Sequence, residues 1–244
     1  MMHISTALPG LLAGLDFHDL VCELEASLRR HGGRTEPQPF DLMYRQVAGT
    51  LGAIASFAMQ SDRIARAVVS HVRVAPWMVG IAFVVHPRPE LDAPLLVGDL
   101  MVPPFGATRA YVDVCGAARS SMVSRFATPL EAVLAAAPIQ VERLAVPDWI
   151  ASSSLGAGAR LKAGRGRGTA VAKLLAKYFE VYLEALDGAV SSLDGAENLA
   201  SAKTMADAVR THGPALRHLR RVFGEPFASR YGRLLWRDQE LAPN

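Results

Sequence analysis

The chain has 244 residues, half of them hydrophobic and a fifth charged. At roughly 150 residues per domain that is enough for one large core, and it excludes a disordered, collagen-like or disulfide-scaffold protein. Its 26 Lys and Arg against 23 Asp and Glu leave a net charge of +3, too balanced for a protein that coats nucleic acid, while a pI near 9.1 keeps an acidic partner open.

From Phe17 to Arg30, Phe17, Leu20, Val21, Leu24 and Leu28 recur at helical spacing. Asp16 is placed to cap this helix and Gly32-Gly33 to stop it. Pro37 and Pro39 mark a loop, and the small apolar run Ala48 to Ala58 suits either a buried strand or a buried helix. Four β-branched runs follow, Ala67 to Val74, Met78 to Val85, Leu95 to Val102 and Ala107 to Val114, punctuated by Pro76, Pro87, Pro89, Pro103, Pro104 and Gly116. Links this short hold no crossover helix, so the runs are expected to pair as an antiparallel meander.

A helix near Phe126 to Ala137 and a strand at Ile139 to Leu144 come next. Ser152 to Gly168, with Arg160, Lys162, Arg165 and Arg167, reads as a strand end followed by a mobile basic loop. Thr169 is placed to cap a long helix to about Leu186. Further helices are expected over Leu199 to Thr211, over Pro214 to Phe223 and from Glu225-Pro226 onward. A helix, a run of strands and a run of helices make an α+β fold, with helices packed on the faces of an antiparallel sheet, as a single domain over 1–244.

Several chemistries lose their usual support by spacing. The glycines from Gly156 to Gly168 satisfy neither GxxxxGK[ST] nor GxGxxG after a strand, and GxSxG and HExxH are absent. Cys22 and Cys115 stand outside any CxxC, so a zinc or dithiol centre is not expected, and both read as reduced core thiols. No basic stretch leads into a long apolar run, and the most apolar windows are too short for about 30 Å of hydrocarbon. A cytoplasmic protein with no membrane or nucleic-acid partner is therefore expected, and the Ala-, Arg- and Gly-rich composition fits many bacterial cytoplasmic proteins.

Asp99, inside the apolar run Leu95 to Val102, is the most informative polar residue. If buried, it has a raised pKa and can act as a general acid; if it lies on the solvent face of a half-exposed strand, it is bland. Asp113 sits near a strand end, where capping a turn is the expected role.

The segment Val84-Val-His-Pro-Arg-Pro-Glu-Leu-Asp-Ala-Pro-Leu-Leu-Val-Gly-Asp99, followed by Ala110-Tyr-Val-Asp113, resembles the sheet core of the ferredoxin-dependent bilin reductases, the family of phycocyanobilin:ferredoxin oxidoreductase. Leu216 to Trp236 resembles that family's closing helices, and Val146-Pro-Asp-Trp149 and the helix from Thr169 fall where the family has comparable features. The resemblance runs from about Ser61 to Trp236. It implies a three-layer α/β/α sandwich with a central antiparallel sheet, binding a linear tetrapyrrole between the sheet and the C-terminal helices. It also implies reduction by single electrons from ferredoxin, protons from side chains, and no intrinsic flavin or metal.

By the same resemblance Asp99 falls on the family's proton-donating aspartate. Ala82 falls where the phycocyanobilin branch carries a catalytic His, and Ser70 on its active-site Glu. Where other branches use a second Asp, this chain reads Thr211-His212-Gly213-Pro214, so His212 is the candidate second proton donor. From Arg160 onward the chain has 14 Lys and Arg against 9 Asp and Glu. Arg217, Arg160 and Lys162 are therefore candidates for the tetrapyrrole carboxylates, and the same surface would steer an acidic ferredoxin. A tetrapyrrole carrier, or a reductase of another substrate such as a chlorophyll catabolite, are the alternatives on this fold.

Overall fold

A computed structural model describes residues 17–47, 52–74, 78–103, 105–116, 119–137, 142–151, 153–191 and 195–236. The chain runs through α1 (His18–Arg30), β1 (Arg34–Glu36), α2 (Phe40–Met43), β2 (Tyr44–Val47), β3 (Gly52–Gln60), β4 (Ile64–Val74), β5 (Met78–Pro87), β6 (Leu95–Val102) and β7 (Thr108–Cys115). It continues with α3 (Ser120–Met122), a π-helical turn (Val123–Ala127), α4 (Thr128–Ala135), β8 (Glu142–Leu144), α5 (Asp148–Ala151), β9 (Ala159–Ala163), α6 (Gly168–Asp187), α7 (Gly195–His212), α8 (Pro214–Phe223) and α9 (Glu225–Trp236).

The β-branched runs form neighbouring strands because each has apolar residues on both faces, which suits a sheet covered on both sides. The sheet order is β1-β3-β4-β5-β6-β7-β9-β8, with β2 also on β3, and every pair is antiparallel. Val69, Ile81, Phe83, Val85, Leu96 and Val112 meet α1 and α6 on one face. There Tyr178 and Tyr182 donate hydrogen bonds to the carbonyls of Ala157 (3.1 Å) and Pro94 (2.7 Å), which pins α6 to the loops as well as to the core. Val68, Val84, Val97 and Cys115 meet α2, α5, α7, α8 and α9 on the other face. A large antiparallel sheet flanked by helices is the expected fold class.

Gly98 belongs to the first face. The Phe83 ring occupies the space a Cβ at Gly98 would fill, and that ring is fully buried, edge-on to Phe179 with centroids 5.3 Å apart. Gly98→Ala is therefore expected to destabilise the fold by about 2 kcal/mol, read as a lower urea midpoint at constant slope. An unchanged midpoint would mean that the ring shifts at no cost.

Several boundaries differ from the sequence reading. Ala48–Ala58 resolves as a strand from Gly52 onward, residues 48–51 lying outside the described residues, as do Asp16 and Ile139. Phe17 and Arg167 occupy the cap positions of α1 and α6 without a side-chain cap bond, so Thr169 lies inside the first turn and caps nothing. The helix expected near Phe126 begins at Ser120 and widens at the π turn, where the Thr128 N–H bonds the Val123 carbonyl just before Pro129, which has no N–H to give. Arg160 and Lys162 lie on β9 rather than in a loop, because Ala159, Leu161 and Ala163 pack inward between them. Cys115 is buried as expected, whereas Cys22 is exposed on α1. Among the described residues no helix is long and apolar enough to cross a membrane.

Candidate active site

Antiparallel register places Ser56, Ser70, Ala82, Asp99, Tyr111 and Arg160 directly opposite one another on β3, β4, β5, β6, β7 and β9. Side chains opposite one another share a face, and this row lies on the side that α9 covers at its β3–β4 end. There Ser70 is fully buried and accepts a hydrogen bond from the Tyr231 hydroxyl, while Ser56 donates to the Leu42 carbonyl. Ser70 is thus closed off from the rest of that face by Tyr231.

The other end of the row is only partly covered. Ala82, Asp99, Tyr111 and Arg160 are half-buried, as are Val72, Met101 and Lys162 in the next row, and Arg109 is exposed. This stripe has an apolar floor, one carboxyl at its centre and cations on the β7 and β9 side. Lys162 is paired with Glu142 on β8 (2.7 Å), so it meets a ligand only by exchanging that partner. Arg217 lies on the exposed side of α8, and His212, exposed at the end of α7, packs its ring on Trp149 with centroids 5.8 Å apart.

Desolvation dominates at Asp99. It pushes the carboxyl from its ordinary 3.8 up to about 6, against the pull of a backbone hydrogen bond from Tyr111 and the charge on Arg160. Near neutral pH an appreciable fraction of such a carboxyl holds its proton, which an exposed aspartate does not.

Asp113 is a second raised carboxyl, also near 6 and also chiefly through desolvation. It is not a turn cap. It is fully buried, with the Tyr111 hydroxyl donating to Oδ2 (2.8 Å) and the Val114 N–H (2.8 Å) and Ser154 hydroxyl (3.0 Å) donating to Oδ1. Gly158 is required beside it, since a Cβ there would overlap the carboxyl. Neither Tyr111 nor Asp113 stood out in the sequence as a site residue, yet Tyr111-Val-Asp113 has the two-residue spacing that puts both on one face.

His86 lies farther along the same face of β5, 4% exposed, donating from Nε2 to the Leu235 carbonyl (2.7 Å) and lying edge-on to Trp236. It ties α9 to the sheet. Among the described residues, no group of three or more His, Cys, Asp or Glu is placed to hold a metal ion.

No family model matches the chain, and no curated protein matches it in sequence. The fold is similar to that of phytochromobilin synthase from tomato, whose crystal structure is a complex with biliverdin. The TM-score is 0.72 over 94% of this chain and 86% of that one, at 13% sequence identity. At that identity the likeness is one of fold.

Proposed function

We propose that the protein is a ferredoxin-dependent reductase of a linear tetrapyrrole, biliverdin or a related bilin. What supports this most is Asp99, a carboxyl pushed up to about 6, at the centre of a half-buried stripe on the helix-capped sheet face. The fold is shared with a synthase crystallised with biliverdin, which makes a tetrapyrrole the first ligand to test.

Reducing one double bond of a bilin consumes two electrons and two protons. A reduced ferredoxin gives up one electron at a time, so the first transfer makes a radical anion that a neighbouring acid must neutralise. Asp99 is that acid in this reading: its O–H breaks as the new bond to hydrogen forms, and its partial exposure lets water return the proton. Arg160, with Lys162 after release from Glu142, meets the carboxylate side arms, and Ala82 forms part of the floor. His212 and Arg217 belong to the exposed rim, where side arms or an acidic ferredoxin approach. No resident flavin or metal is called for, because the electrons come from the partner.

A second reading has its own support. Ala82 cannot carry a proton, and Ser70 is sealed beneath Tyr231, so two positions that are acidic or basic in one branch of the resembled family are silent here. A protein that holds a tetrapyrrole without reducing it fits those two residues. Anaerobic titration with biliverdin, then addition of ferredoxin, its reductase and NADPH, separates the two. Saturable binding followed by a shift of the long-wavelength band is expected; binding with no shift would favour the carrier, and no binding would remove the tetrapyrrole.

A further inference from the structure

We propose that Tyr111, backed by Asp113, is a second proton-delivering group on the half-buried stripe, acting beside Asp99. The inference rests on the bilin-reduction reading, which calls for two protons while Asp99 holds one at a time.

The geometry is that of a relay. Tyr111 is half-buried on that stripe, directly opposite Asp99, and its hydroxyl donates to Asp113 Oδ2 at 2.8 Å. Asp113 itself is 0% exposed, whereas Tyr111, to which it is hydrogen-bonded, is half-buried and so links it to the partly covered stripe. Its other oxygen is taken by the Val114 N–H and the Ser154 hydroxyl. A buried carboxyl is costly where a valine would fit the strand, and this one is accommodated by a glycine at 158 and a serine at 154.

The proton on Asp113 decides which way the phenol points. With Asp113 ionised, the Tyr111 hydroxyl hydrogen is held down on Oδ2. With Asp113 neutral, Oδ2 donates to the phenol oxygen and the hydroxyl hydrogen turns to the stripe. In the transfer, the Tyr111 O–H breaks as the bond from hydrogen to the substrate radical forms, and the Asp113 O–H breaks as the phenol is restored. One proton leaves Asp113, which ends as a carboxylate, and ferredoxin supplies the electron. Desolvation holds the phenol far above its ordinary value, with the charges of Asp113, Cys115 and Asp99 adding to the shift, which disfavours a standing phenolate.

Among the described residues, the following groups bear on this pair. Cys115 and Tyr178 sense the charge on Asp113, and both are themselves raised well above their ordinary values by burial. Arg160 on β9 lies opposite Tyr111 and acts on Asp99. From α5 and α7, the apolar cluster that includes Cys115 takes Ile150, Met205 and Ala206; on α7, Asp207 and Arg210 pair with each other, and His212 packs on Trp149.

Two substitutions test the relay in the full chain with biliverdin and reduced ferredoxin. Tyr111→Phe keeps the ring and removes the transferable proton. It is expected to bind biliverdin within about twofold of wild type, to accept the first electron, and to accumulate a radical absorbance while product formation falls about 10²-fold. Ser154→Ala removes a hydrogen bond that favours ionised Asp113, and is expected to move the alkaline limb of the rate–pH profile up by about half a unit. Tyr111→Phe forming product at the wild-type rate, or Ser154→Ala leaving that limb in place, overturns the relay. Failure of the wild-type chain to bind biliverdin overturns the reading beneath it, and the relay with it.

Discussion

Asp99→Asn is expected to lower the proposed bilin turnover by about 10²- to 10⁴-fold while leaving bilin affinity within about twofold. The substitution keeps the size of the side chain and its ability to accept a hydrogen bond, and removes only the transferable proton. The loss therefore falls on the rate after binding, and single-turnover absorbance under reduced ferredoxin separates it from any loss of affinity. It also decides between the two sequence readings of this residue. An aspartate that merely faces water would give an Asn variant with the wild-type rate, and that result would remove Asp99 from the mechanism. With Tyr111 intact, the Asn variant retains a second donor in the relay, so loss of both groups is expected to be more severe than either alone.

The second large effect is on stability. Asp99 and Asp113 both have folded values near 6 against an ordinary 3.8. Between those values the folded chain holds protons that the unfolded chain has released, so stability falls as pH rises from about 4 to 6 and levels off above. The shift corresponds to about 3 kcal/mol for the fully buried Asp113 and to about half that for the partly exposed Asp99. Urea unfolding is expected to show a fold several kcal/mol more stable near pH 4.5 than near pH 7.5 as far as these two groups decide it. Asp99→Asn is expected to flatten part of that slope and to gain about 1–2 kcal/mol at pH 7.5, so the residue proposed as proton donor works against the fold. A wild-type slope that the Asn variant reproduces unchanged would contradict the raised carboxyl.

The meander from β4 to β7 was legible because its residues are β-branched and its turns are marked by proline. β9 was not, because its inward residues are Ala159, Leu161 and Ala163 and its outward ones Arg160 and Lys162, a pattern that in isolation resembles a charged loop. Strand pairing with β7 overrides that local weakness, since the small residues fit beneath α6. β1 and β2 are three and four residues long and are held by β3 rather than by their own composition. At the site, Asp99 could be picked out as a carboxyl in an apolar strand. Its setting between Ala82 and Tyr111 depends on register across three strands, which one sequence does not display. Asp113 looked like a turn residue because it lies near a strand end; only the approach of Ser154 and the missing side chain at Gly158 show why it is buried.

The order in which the layers close also governs how the chain emerges during synthesis. α1, the sheet and α6 complete one face by Asp187, whereas the opposite face waits for α7, α8 and α9. Until Tyr231 and Leu235 are made, Ser70 and His86 lack their distant hydrogen-bonding partners, and Val68, Val84 and Val97 lack the α9 part of their cover. A nascent chain halted after Phe223 thus carries a complete sheet whose second face lacks the α9 part of its apolar cover. The last twelve described residues, Glu225–Trp236, supply that part of the cover.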